Sequence, residues 1–162
     1  MKKITAKDMT NIQKLVGDIS ESNLKYVDYC VSENFGIFIP SVGFCEYAIM
    51  PQHTHPAYSF VLFFSKEQSL RPVTIKILPE HYLVTAMAPG IPHEEKETDT
   101  FTRYMAIFIS KKLYETIYSN YRPKPPEQYF WDQFLVGHEI MIYLKKFPLF
   151  LQLYKTYGDY SF

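Results

Sequence analysis

The chain has 162 residues and a formal net charge of zero, with 17 Lys and Arg against 17 Asp and Glu. This balance disfavours a nucleic-acid-binding domain, which usually carries an excess of basic residues on one face. No stretch approaches the roughly 20 apolar residues of a membrane span, and the start lacks the apolar core of a signal peptide. Two cysteines, Cys30 and Cys45, are too few for a disulfide framework. We predict a cytoplasmic protein of one domain that does not contact a membrane.

The first predicted element is an amphipathic helix within residues 8–22. Four apolar side chains share one helical face: Ile12, Leu15, Val16 and Ile19. We therefore assign residues 1–22 to an N-terminal helical arm.

Short β-type segments, separated by Gly and Pro, dominate residues 23–110. The predicted strands are 24–31, 35–39, 44–50, 58–64, 73–78, 81–87 and 101–109. Short strands at roughly ten-residue spacing, with no helix between them, are typical of an antiparallel sandwich, jelly roll or barrel.

The last third, residues 111–162, is predicted to be helical, with helices at 111–121, 127–147 and 148–157. In the long central helix, apolar residues form two neighbouring stripes, which is too wide for a single contact. One flank would then pack on the β-barrel and the other would form a two-fold dimer interface. The alternative is that the helix only covers the barrel. The predicted interface residues are Phe134, Leu135, Met141 and Ile142.

Three of the five histidines are candidate metal ligands. His53 and His55 lie two residues apart before an apolar strand, so their side chains project from the same face of extended chain. His93 follows a turn in which Gly90 permits a positive φ. Three converging imidazoles would form a site for zinc, iron, nickel or copper with open coordination positions. The alternative is a polar pocket in which the histidines hydrogen-bond and hold no metal.

Three further residues are candidates for contacting a small molecule. If His53 and His55 point into a barrel, Ser59 shares their direction by parity along the strand. A guanidinium at Arg103 could bind a carboxylate through paired hydrogen bonds, or it could pair with surface carboxylates instead. Tyr47 is a comparable candidate. No nucleophile elbow or glycine-rich phosphate loop is present in the sequence.

The segment HTHPAYSFVLF and the later APGIPHEE resemble the two sequence motifs of the cupin superfamily. More narrowly, residues 24–155 resemble the amino-terminal sensory domain of AraC-type transcription regulators. Gly43, His53 and His55 match the first motif, although Gly43 lies further upstream than that motif places it. Pro89, Gly90 and His93 match the second. The glutamate of metal-binding cupins has no counterpart, because Ser59 and Phe60 occupy its possible positions.

The resemblance implies a cupin-like jelly-roll β-barrel with flanking C-terminal helices and a short N-terminal helix. It also implies a small-molecule effector in the barrel, a homodimer formed by the helical segment 111–162, and no enzyme activity. DNA would be contacted only through a C-terminal domain that this sequence does not include. A divalent transition metal at His53, His55 and His93 is a possible cofactor. The alternative function is a stand-alone metal-dependent cupin enzyme of the dioxygenase or isomerase type.

Overall fold

The computed structural model describes residues 4–25, 27–40, 52–63, 75–76, 78–94, 104–124, 126–144 and 146. These residues form three helices, one 3₁₀ turn and six strands. In chain order the elements are α1 (Ala6–Val16), the 3₁₀ turn (Ser22–Leu24), β1 (Val27–Val31), β2 (Phe35–Pro40), β3 (Tyr58–Phe63), β4 (His81–Met87), β5 (Tyr104–Ile109), α2 (Lys111–Tyr121), β6 (Trp131–Gly137) and α3 (Ile140–Leu144). The described chain is therefore mainly β, as the sequence predicts.

The six strands form one antiparallel sheet in the order β1-β2-β5-β3-β4-β6. Residues directly opposite one another on neighbouring strands share a face, so the register assigns each side chain to one of two apolar layers. The first layer contains α1 and one face of the sheet, with Phe38, Val61 and Phe108 in its core. The second layer contains α3 and the other face, with Leu62 and Met105 in its core.

Helix α1 begins at a capping box. The Thr5 hydroxyl accepts a hydrogen bond from the backbone N–H of Asp8, and the Asp8 carboxylate accepts one from the backbone N–H of Thr5. All four residues of the predicted apolar face are buried in the first layer, although the helix ends at Val16. The helix thus covers one face of the sheet through a stripe that the sequence identifies.

The long helix predicted for residues 127–147 is wrong, because residues 131–137 form strand β6. This strand pairs with β4 over its whole length, from Trp131 opposite Met87 to Gly137 opposite His81. The apolar spacing also fits a period of two, and β4 offers backbone hydrogen-bond partners that a helix would not use. Among the described residues of this region only Ile140–Leu144 is helical, and Met141 packs in the second layer.

The prediction of helix 111–121 is confirmed by α2, which starts at the N-cap Ser110. The predicted strand 44–50 and helix 148–157 lie outside the described residues. Within 73–78, Ile75, Lys76 and Leu78 are described and are not in a strand. Among the described residues β1 and β6 are the two ends of the sheet and do not pair with each other. Barrel closure therefore stays a prediction. No described helix is both long and apolar enough to cross a membrane.

Thr85 lies at the centre of β4 with 0% of its surface exposed, and its Oγ1 makes no hydrogen bond within the described residues. A buried hydroxyl without a partner costs about 1–3 kcal/mol. We expect Thr85→Val to raise the free energy of unfolding by about 1 kcal/mol, measured by urea denaturation. Thr116→Val, at an exposed position on α2, is the control and should change it by less than about 0.5 kcal/mol. A clear loss of stability in Thr85→Val would show that the hydroxyl is satisfied.

Candidate metal centre

The three candidate histidines are brought together by backbone pairing. His53 and His93 form an isolated antiparallel bridge in which each backbone N–H donates to the other's carbonyl, at 2.9 and 3.0 Å. Side chains of such a pair lie next to each other. The turn before His93 contains Gly90 at φ 79°, as predicted, and the Gly90 N–H donates to the carbonyl of His55 at 2.9 Å. The segments that carry the two sequence motifs are therefore bonded to each other directly.

His55 is positioned by the C-terminus of α1. The last carbonyls of a helix have no partner within the helix, and here two of them bind the segment after His53. The Val16 carbonyl accepts a hydrogen bond from His55 Nδ1 at 2.7 Å, and the Leu15 carbonyl accepts one from the Ala57 N–H at 3.3 Å. Helix α1 therefore fixes both the position and the orientation of the His55 ring.

These hydrogen bonds also fix the tautomers. A carbonyl can only accept, so the Nδ1 of His55 carries the proton, and the same holds for His93, whose Nδ1 donates to the Ile91 carbonyl at 3.0 Å. In each neutral ring the lone pair is then on Nε2. Metal-binding histidines commonly donate their second ring N–H to a backbone carbonyl in this way. The two rings thus have the tautomer that a metal bound at Nε2 requires.

The three rings are close enough to share one ion. One ring nitrogen from each of His53, His55 and His93 lies within 4.8 Å of the others, and the ring centroids are 4.3 to 4.8 Å apart. Nitrogen ligands at 2.0–2.1 Å from a tetrahedral zinc ion are about 3.3 Å apart. The ring nitrogens would therefore have to approach one another by up to about 1.5 Å to bind it. The arrangement fits a three-histidine metal centre.

Burial keeps two of the rings neutral. It lowers the pKa of His55 from 6.5 to about 3, although the Val16 carbonyl acts in the opposite direction, and the other two imidazoles lower it further. Burial also lowers the pKa of His93, while its bond to Ile91 partly offsets the effect. A metal binds only neutral imidazole. His55 and His93 are therefore ready to bind a metal at neutral pH without first losing a proton.

The floor beneath the histidines is a row of side chains that crosses four strands. Ser59 of β3 lies opposite Phe108 of β5 and Met87 of β4, and Met87 lies opposite Trp131 of β6. The Phe108 ring meets the His55 ring at a centroid distance of 4.8 Å, and the Trp131 ring meets the His93 ring at 6.3 Å. Ser59 is therefore on the face of the histidines, although β3 begins at Tyr58 and parity along one strand does not extend to His53 and His55.

Sequence reasoning missed Phe108, Trp131 and the α1 carbonyls as parts of this site. Trp131 was assigned to a helix, which removed it from the sheet, and a backbone carbonyl leaves no signal in a sequence. Parity along 101–109 does group Phe108 with Ala106. Parity does not provide the register of strand pairing, which places Phe108 opposite Ser59.

The other predicted site residues have different positions. Tyr47 and Arg103 lie outside the described residues, so their roles stay predictions, and the same applies to Gly43. Phe134 on β6 and Ile142 on α3 are 41% and 60% exposed, whereas Leu135 packs against the first layer and Met141 in the second.

Comparison of the chain with protein-family models, with curated proteins and with solved structures gave no match. The site and the sequence motifs are therefore the basis for assigning a function to this chain.

The lowered pKa of His55 predicts acid sensitivity. Between pH 6.5 and about 3 the unfolded chain binds a proton at His55 that the folded chain does not, so stability falls as the pH falls through this range. From pH 7 to pH 5 we expect a loss of about 2 kcal/mol from His55 alone in the presence of a chelator. His55→Asn retains a donor for Val16 without titrating, and should lose that part of the pH dependence.

Urea denaturation at pH 7, 6 and 5 measures this effect. His81→Asn is the matched control, because the Nδ1 of His81 also donates to a carbonyl, that of Pro79, but in an exposed position outside the cluster. Its pH dependence should resemble that of the wild type. If His55→Asn showed the same slope as the wild type, His55 would not be the buried neutral group described above.

Proposed function

We propose that the chain is the effector-sensing domain of an AraC-type transcription regulator with a cupin-like fold. In this proposal a divalent transition metal held by His53, His55 and His93 forms part of the effector site. The observation that carries the proposal is the convergence of three imidazoles on one face of an antiparallel sheet. The spacing of the histidine pair and of the later Pro-Gly-x-x-His turn supports the same assignment.

The donor set determines which metals fit. Three neutral imidazoles suit zinc, iron, nickel or copper, whereas magnesium and calcium prefer oxygen ligands. With three protein ligands, a bound ion keeps open coordination positions, at which it would hold an oxygen atom of a small molecule. The protein's own contribution is to orient the rings through Val16 and Ile91 and to keep them neutral.

The side chains around the site favour an effector that has both an apolar part and a polar part. The rings of Phe108 and Trp131 supply apolar surface next to His55 and His93, and Ser59 supplies a hydroxyl in the floor. This combination suits a small molecule that joins a hydroxyl or carboxylate oxygen to an apolar part. Arg103 and Tyr47 stay predicted contacts to the polar part of that molecule.

A route for the signal follows from the bonds around His55. Because α1 holds His55 and Ala57 through its last two carbonyls, an effector that displaces His55 also displaces the end of α1. The effector would shift the population toward the arrangement of the dimer, or of a DNA-binding domain, to which it binds more tightly. DNA itself is contacted by that second domain in this proposal.

A metal-dependent enzyme of the dioxygenase or isomerase type is the second candidate, and the open positions of a three-histidine centre favour it. The enzyme would convert a substrate into a product, whereas the sensor would only bind its effector. Oxygen consumption by iron-loaded protein with a catechol, abolished in His55→Ala, would support a dioxygenase. Binding of effector without turnover would support the sensor.

We expect about one zinc ion per chain after equilibrium dialysis, measured by elemental analysis. Replacing His53 and His55 together by alanine should abolish this binding, because a single remaining imidazole holds the ion weakly. The chain has five histidines, which provides a matched control. His81→Ala with His138→Ala removes the two outside the cluster and should leave the stoichiometry unchanged. Equal loss in both double variants would count against the site.

The proposed homodimer is tested at the two exposed apolar residues of the predicted interface. Phe134→Glu or Ile142→Glu would place a charge in the contact and should convert a dimer into a monomer in analytical ultracentrifugation. Tyr121→Glu is the control, because Tyr121 is 81% exposed on α2 and outside the predicted interface. If both interface variants still sedimented as dimers, another surface would have to form the contact. Met141→Glu is not suitable, since Met141 lies in the core.

A further inference from the structure

A second cleft lies on the face of the sheet opposite the histidines. Tyr58 of β3 forms part of it, and its ring stacks on Tyr114 of α2 at a centroid distance of 3.9 Å. The cleft runs beside α2 and is closed on its other side by the chain that follows this helix. Its volume of about 670 Å³ is in the range of small-molecule sites. None of the three histidines lines it.

The charges in the cleft are unbalanced. Lys111, Arg122 and Lys124 line it, against one carboxylate, that of Glu115. None of these three cations lies within ion-pair distance of a carboxylate in the described part of the chain. Three cations around a concave surface raise the local concentration of anions. The cleft therefore favours an anionic ligand.

The cations are grouped at the two ends of the cleft. Lys111 and Tyr118 lie at positions i and i+7 of α2, so they face the same side of the helix, and Arg122 is the C-cap residue that follows it. At 1.5 Å per residue, Lys111 and Arg122 are about 16 Å apart along the helix. Lys124 follows Arg122 by two residues, so two of the three cations are at the C-terminal end of α2. Their two positive charges exceed the partial negative charge of the helix C-terminus, which is roughly half an elementary charge, so this end attracts an anionic group.

Aromatic surface lies between and beside these cations. The rings of Tyr114 and Tyr118 are 5.9 Å apart along α2, and Tyr129, on the opposite wall, is 76% exposed. Tyrosine rings offer faces for stacking and hydroxyls for hydrogen bonds. A ligand with a flat ring would use this surface, while its charged group reached the cations at the end.

We propose that this cleft binds a small anionic molecule with an aromatic ring, in which a carboxylate, sulfonate or phosphate group is held by Arg122 and Lys124 and the ring lies against Tyr118 and Tyr129. None of the three candidate metal-binding histidines lines this cleft, so its ligand can be tested separately from the metal centre and from the function proposed above. A regulator or an enzyme could each carry it.

The test uses 1-anilinonaphthalene-8-sulfonate, which joins a flat ring to an anionic group, and its uncharged counterpart N-phenyl-1-naphthylamine. Titration calorimetry with chelator present should give one sulfonate probe per chain, bound at least tenfold more tightly than the uncharged probe. Arg122→Gln with Lys124→Gln should weaken the sulfonate probe at least tenfold and leave the uncharged probe unchanged. Tyr129→Ala should weaken both probes.

Lys112→Gln is the matched control, because Lys112 is an exposed lysine of α2 that does not line the cleft. The affinity of this variant for the sulfonate probe should equal that of the wild type. Alanine at both His53 and His55 should also leave the affinity unchanged, which separates this site from the metal centre. Equal affinity for the two probes, or no effect of the Arg122 and Lys124 substitutions, would refute the proposal. Thermal melts of each variant identify any change that results from loss of folding.

Discussion

The hydrogen bond from His55 Nδ1 to the Val16 carbonyl is the contact on which the site depends. It satisfies a carbonyl that the end of α1 leaves without a helical partner, and it places the proton of the imidazole on Nδ1. It can form only because α1 packs on the sheet through Ile12 and Leu15 and because the helix ends at Val16, with Gly17 as its C-cap. The backbone of Gly17 also lies close to the histidine segment, since a Cβ at Gly17 would be 3.2 Å from the Thr54 carbonyl oxygen. Packing of one helix thus determines the chemistry of a ring 39 residues away.

Burial explains why a cluster of three imidazoles is tolerated in a largely apolar layer. Two of the rings are held neutral by burial, so their mutual repulsion is absent at neutral pH. Protonation of these rings would weaken both folding and metal binding, since ion and proton compete for the same nitrogens. Acid sensitivity and metal affinity are therefore two consequences of one geometry.

The sequence predicts those parts of the fold that local periodicity determines. The apolar face of α1, five of the strands and helix α2 follow from spacing. Strand β6 does not, because Phe134 and Leu135 fit both a helical stripe and a strand, and β4 decides between them. Residue type and local spacing likewise identify the three histidines, whereas the pairing of His53 with His93 depends on contacts distant in sequence. Phe108 and Trp131 join the site only through the register of the sheet.

The turn between β4 and His93 contacts both the histidine centre and the cleft beside α2. The Gly90 N–H donates to the His55 carbonyl, and the Ala88 N–H donates to the carbonyl of Phe130, whose ring stacks on Tyr58. Pro89, between them, lines the cleft beside α2. A displacement of this turn therefore alters the backbone of the histidine centre and the wall of the cleft together. If ligands at the two sites favour different positions of the turn, each must change the affinity of the other by the same factor, because linkage is reciprocal.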